Sequence, residues 1–140
     1  MLNYFCMPEV TEVNYRTNEE VWDWPIESYS VTVEGKEIEI TPKIPGHHES
    51  SHPLEQTPTY FYNLDQVLLH PDDVLLDTSN NPKAVESRKK GECKIYIKND
   101  FIKDLHIPGY SDWKGDETRV VVMFENTGKN YTKTYRITKK

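Results

Sequence analysis

A glycine at position 35 divides two short stretches of strict two-residue alternation. Tyr29, Val31 and Val33 alternate with polar residues, and Ile38 and Ile40 alternate with Glu37, Glu39 and Thr41. A period of two marks a strand with one dry face. Gly35 at the first central position predicts a type II′ turn over Gly35-Lys36. That register pairs Val33 with Ile38 and Val31 with Ile40 on one face. The other face then carries Thr32 opposite Glu39, with Glu34 and Glu37 flanking the turn. The expected hairpin has a dry side and an acidic side.

The C-terminal stretch predicts a second hairpin. Val120, Val122 and Phe124 share one parity, and Tyr131, Lys133, Tyr135 and Ile137 share the other. Joining both sets on one face calls for a loop of even length. A two-residue loop, Thr127-Gly128, pairs Phe124 with Tyr131. A four-residue loop, Thr127 to Asn130, pairs Val120 with Ile137 and Val122 with Tyr135, and is preferred for its larger apolar pairs. Val121 and Met123 make the first strand apolar on both faces, which predicts a central place in the sheet. Cys93 to Lys98 reads as a further strand, and Glu9 to Tyr15 as a less regular one.

Helical signals are short. Asn18 can cap a turn through Val21 that ends at Trp24-Pro25. Asn63 with Gln66 resembles a capping box before a helix that stops ahead of Pro71. Asp72 and Asp73 are expected to open a helical turn, with Asp77 to Asn80 as a turn beyond it. Asn81 as cap and Pro82 at the first position start a better-defined helix, which is expected to end at Gly91. Residues 42–59 hold four prolines and read as one long Pro/His-rich loop. Together these elements predict a β-rich α+β fold: one domain over residues 1–140, with about five or six mostly antiparallel strands in hairpins and two or three short helices.

Hydrophobic residues are 36% of the chain, lean for a core, but 16 aromatics supply bulk. No apolar run is long enough to cross a bilayer, so no membrane partner is expected. Cys6 and Cys93 are too few and too far apart for a disulfide-stapled or four-ligand zinc domain. The first eight residues lack a basic stretch and are interrupted by Pro8, so a cytoplasmic location is expected.

The net charge of −6 conceals an asymmetry. Residues 1–82 carry three basic and 15 acidic groups, net −12; residues 83–140 carry 14 basic and eight acidic, net +6. Either the halves neutralise each other, or one of them faces a partner. Complementary fields of the second kind speed encounter and select partners.

Four constellations compete for chemistry. His47, His48 and His52, with Glu49 and Glu55, could ligate zinc, but all lie in one loop without an HExxH helix; they stand as weak metal candidates. Asp72, Asp73 and Asp77 lack the glycine and terminal Glu of a calcium loop. Lys94, Tyr96, Lys98 and Lys133 interleave cations with aromatics as a nucleic-acid platform does. Trp113, in a glycine-flanked loop, suits a protein anchor. No nucleophile elbow, P-loop or dinucleotide fingerprint is present, so a non-enzymatic role without a cofactor is expected.

The leading expectation is a small acidic binding protein that docks on a basic protein as an inhibitor- or immunity-type module. Glu34, Glu37, Glu39, Asp72, Asp73 and Trp113 are its candidate contacts. Nucleic-acid or nucleotide binding through the basic C-terminal half is the alternative. A metal-dependent enzyme built on the His-rich loop is the third.

Overall fold

Among the described residues, alternating side chains build a six-stranded sheet. The structure, a computed structural model, describes residues 13–17, 26–42, 57–107 and 114–139. The strands are β1 (Tyr29–Val33), β2 (Lys36–Ile40), β3 (Asp73–Leu76), β4 (Gly91–Asn99), β5 (Asp116–Glu125) and β6 (Asn130–Lys139). Their order is β1-β2-β6-β5-β4-β3, antiparallel except for one parallel contact between β2 and β6. β5 lies inside the sheet between β4 and β6, as its doubly apolar sequence predicts.

One face carries the main core. Ile38, Ile40, Tyr96, Val120, Val122 and Tyr135 pack there against Tyr60, Phe61, Leu64, Val67, Leu68, Phe101 and Ile102. The helical residues come from α1 (Pro58–Phe61), α2 (Leu64–Leu69) and α4 (Phe101–Leu105). Edge-to-face ring contacts bind this layer, including Tyr60 with Phe101 at 5.5 Å and Tyr29 with Phe61 at 5.4 Å. The helix α3 (Pro82–Arg88) lies against the other face, near buried Cys93 and Met123, whose sulfurs are 3.4 Å apart. Asn81 caps α3, its side chain accepting the Lys83 amide at 2.8 Å.

Both hairpins change the expected register; the first keeps its expected faces, whereas the second keeps them only beyond its bulge, since Tyr131 opposes Met123 and so lies on the face away from Val122 and Phe124. In the first, Val33 pairs with Lys36, Val31 with Ile38 and Tyr29 with Ile40. The turn is therefore Glu34-Gly35, with φ of 51° and 82°, a type I′ turn in place of II′. Gly35 takes the second central position, and Glu34 accepts a left-handed conformation. This shift places Tyr29 opposite Ile40, from where its hydroxyl reaches the Phe61 carbonyl at 2.6 Å.

In the second hairpin the loop is odd, which parity alone had excluded. Glu125 and Lys129 close a three-residue loop in which Gly128 holds φ at 98°. A bulge then restores the faces: Val122 opposes Thr132 and Val121 opposes Thr134, leaving Lys133 unopposed. Val120 consequently pairs with Tyr135, not with Ile137, and Val122 does not meet Tyr135.

Other boundaries also move. Asp73–Leu76 is an edge strand, not a helical turn, because it continues the sheet beside β4. Gly91 opens β4 instead of ending α3; a Cβ there would lie 2.1 Å from the Phe124 carbonyl oxygen, so the close strand contact requires glycine. The loop expected over 42–59 ends earlier, since Thr57 caps α1 and Pro58 and Thr59 are helical. Residues 13–15 form no strand; residues 9–12 and the helical turn expected after Asn18 lie outside the described residues.

Asn63 does not complete a capping box. Its Oδ1 accepts the Arg16 amide at 2.7 Å, and its Nδ2 donates to the carbonyls of Arg16 and Thr59. Arg16 in turn grips Asp65 with Nη1 and Nη2 of its guanidinium, at 3.0 and 2.8 Å, and donates to the Tyr62 carbonyl. The segment 13–17 is thereby fastened to α2.

Candidate protein-binding surface

The outer face of the β1–β2 hairpin follows directly from its alternation. With Ile38 and Ile40 fully buried, Glu37 and Glu39 must point to the opposite side, and both are exposed. Glu37 stands opposite Thr32, Glu39 opposite Ser30, and Glu34 projects from the turn. Glu39 also lies beside Tyr131 at the single parallel contact with β6. Three carboxylates thus share one hairpin at the sheet's edge.

The described ion pairs leave these carboxylates alone. Arg16 pairs with Asp65, Lys89 with Glu86, Lys94 with Glu92 and Arg119 with Glu117. Each joins groups of the same half of the chain. Among the described residues, no ion pair links a carboxylate of residues 1–82 to a cation of residues 83–140. The hairpin's own Lys36 turns to the core side, where its ammonium lies 5.1 Å from the Phe124 ring centre. Lys94 approaches the same ring at 5.4 Å. A shallow cleft of about 430 Å³ opens there, lined in part by Lys36, Phe124, Glu125 and Asn130. Nothing in the local sequence pattern points to this cleft, because it depends on β6 lying between the hairpin and β5 in the sheet order.

Asp72 and Asp73 are not part of the same surface. They sit at the start of β3, four strand spacings from β2, or about 19 Å. Both also have local work: Asp72 accepts the Asn99 amide at 2.7 Å, and Asp73 accepts the Val74 amide at 2.9 Å. Trp113 lies outside the described residues, as do His47, His48 and His52.

The residues considered for nucleic acid are divided between the two faces. Tyr96 is a core residue. Lys98 is 8% exposed and donates to the His70 carbonyl at 2.8 Å. Lys94 is held between Glu92 and Phe124, and Lys133, on the bulge, reaches the Ser87 hydroxyl. Tyr131 donates to Glu125 at 2.7 Å, which lowers the Glu125 pKa and raises that of Tyr131. These four residues do not form one continuous platform.

The buried titratable groups serve the fold. Asp116 is fully buried and its carboxylate accepts the amides of Ile102 and Lys103. Burial raises its pKa, against the pull of those two hydrogen bonds. Burial likewise pushes the Tyr15 and Tyr29 hydroxyls well above the ordinary tyrosine value. Among the described residues, no group of three or more His, Cys, Asp or Glu is placed to hold a metal ion, and no helix is long and apolar enough to cross a membrane. No protein-family model, curated protein or solved structure shows significant similarity to this chain.

Proposed function

We propose that the protein is a small binding module that docks on a basic partner protein through the outer face of the β1–β2 hairpin. Glu34, Glu37 and Glu39 supply its negative field, in the manner of inhibitor- or immunity-type proteins. The observation that supports this reading is the segregation of ion pairs: among the described residues, the exposed carboxylates of the hairpin pair with no cation. Such groups cost little desolvation while free and become useful when a positive surface arrives. Each contact at the rim acts mainly on the rate of encounter.

The test is capture of a partner from lysate of the source cell, comparing the wild-type chain with Glu34→Lys/Glu37→Lys/Glu39→Lys. A basic protein retained by the wild type, lost on charge reversal and weakened by rising salt supports the proposal. A partner held equally by both chains, or one indifferent to salt, overturns it.

A further inference from the structure

The far edge of the sheet carries a second surface of different character. Among the described residues β3 is the last strand, and all four of its residues are exposed. Val74, Leu75 and Leu76 are 41%, 41% and 57% exposed, large values for side chains of this kind. The Asp77 amide donates to the Cys93 carbonyl at 3.0 Å. In an antiparallel ladder bonded pairs alternate, so residues 73, 75 and 77 turn their main-chain groups toward β4. Val74 and Leu76 therefore turn theirs outward. The outward Val74 amide is taken by the Asp73 side chain. The Val74 carbonyl and the Leu76 amide and carbonyl stand ready for another strand.

The side chains specify what kind of strand fits. Val74 and Leu76 lie on the core side of the sheet, and Leu75 lies on the other side, in register with Ile95 and Val121. Asp73 and Asp77 share the side of Leu75 and bracket it. An added antiparallel strand would thus meet apolar positions at 74 and 76 and a carboxylate at each end. Beyond Leu76 the edge runs into a cavity of about 270 Å³ lined in part by Asp77, Arg88, Gly91 and Cys93, with room for a further side chain. In the register centred on Leu75, a second copy of the chain fits poorly. Matching its faces across a two-fold axis at Leu75 sets Asp73 against Asp77 of the other copy at both ends, and like charges directly opposite are destabilising.

We propose that the β3 edge is a strand-addition site for an extended segment of another protein, with apolar residues at alternate positions and a lysine or arginine at each end. The main-chain bonds supply affinity, and the bracketing aspartates supply selection for charge. This surface is independent of the hairpin, and either can fail without the other.

The probe is an N-acetylated, C-amidated pentapeptide, Arg-Val-Thr-Val-Arg, titrated into isotopically labelled full-length chain and followed by amide NMR. Shifts centred on Val74 to Asp77, with slowed exchange of the Leu76 amide, are expected. The peptide Glu-Val-Thr-Val-Glu should bind more weakly by about tenfold or more. Leu76→Pro removes the outward donor without touching the β3–β4 ladder, and Leu76→Lys adds repulsion and removes apolar area; each should abolish the shifts. If the proline variant does not fold, the lysine variant and the shift map decide. Shifts centred on the β1–β2 hairpin, equal binding of the acidic peptide, retained binding by a folded Leu76 variant, or Leu76 amides already protected in a dimer would each overturn the proposal.

Discussion

The carboxylate of Asp116, at the start of β5, caps helix α4 from outside the helix, accepting the Ile102 amide at 2.9 Å and the Lys103 amide at 3.1 Å. Asp100 stands at the usual cap position but is left-handed, at φ 60°, and makes no side-chain cap bond. Its amide instead donates to the Asp116 carbonyl at 2.8 Å. Asp116→Ala should cost about 2 kcal/mol by leaving two amides unpaired, and Asp116→Asn less, since one acceptor remains. The pH dependence has a defined sign. Burial raises the Asp116 pKa above its ordinary 3.8, so the folded state binds this proton more readily than the unfolded chain. The stability it contributes is present in acid and is lost as pH rises from about 4 through the raised folded value. Melting curves should therefore show the wild type gaining on Asp116→Asn as pH falls toward 4.

Arg16 and Asn63 together fasten the segment 13–17 to the helical layer. The Asp65 side chain is only 8% exposed, so removing its cation leaves a nearly buried charge unmatched. Arg16→Ala should lose about 2 kcal/mol in urea unfolding, and Arg16→Lys should recover only part, because an ammonium cannot reproduce the two-nitrogen grip. Asn63→Ala should release the segment without ending α2, since Asn63 makes no cap bond to the helix. Faster hydrogen exchange at the Arg16 amide, with α2 amides still protected, is the expected signature.

Most faces were legible in the sequence and registers were not, for a physical reason. The alternation of Ile38 and Ile40 with Glu37 and Glu39 determines which side is dry, and a slip of two residues leaves that unchanged. Turn chemistry had to choose the register, and Gly35 satisfies either central position of a hairpin turn. In the β5–β6 hairpin, an odd loop and the bulge at Lys133 compensate only from Thr134 onward, so Tyr135 lies on the expected face while Tyr131, between loop and bulge, lies on the other. The exposure of Glu37 and Glu39 was readable from the same alternation. Their separation from Asp72 and Asp73 was not, because it depends on strand order, which local patterns do not encode.

Alkali should unfold the protein in a single step linked to its tyrosines. Burial, the largest cause, raises the pKa of Tyr15, Tyr29 and Tyr96 above the ordinary 10, with nearby carboxylates adding to it. A hydroxyl whose pKa is raised on folding favours the folded state while neutral. That contribution is complete below about pH 10 and is lost as pH rises toward the folded values. Tyrosinate absorbance from these residues should appear together with loss of far-ultraviolet circular dichroism. A smooth, fully reversible titration of all nine tyrosines with the fold intact would contradict it.

Glu34 joins stability to function in opposite senses. It occupies the first central position of a type I′ turn at φ 51°, where asparagine is favoured and a longer L side chain is strained. Glu34→Asn should stabilise the chain by about 0.5–1 kcal/mol, read as a higher urea midpoint at unchanged slope. The same change removes one of the three carboxylates of the proposed docking face. Slower association with a basic partner, with dissociation little altered, should accompany the gain in stability. A variant that gains stability and associates at the wild-type rate would take Glu34 out of the binding surface and leave Glu37 and Glu39 to carry it.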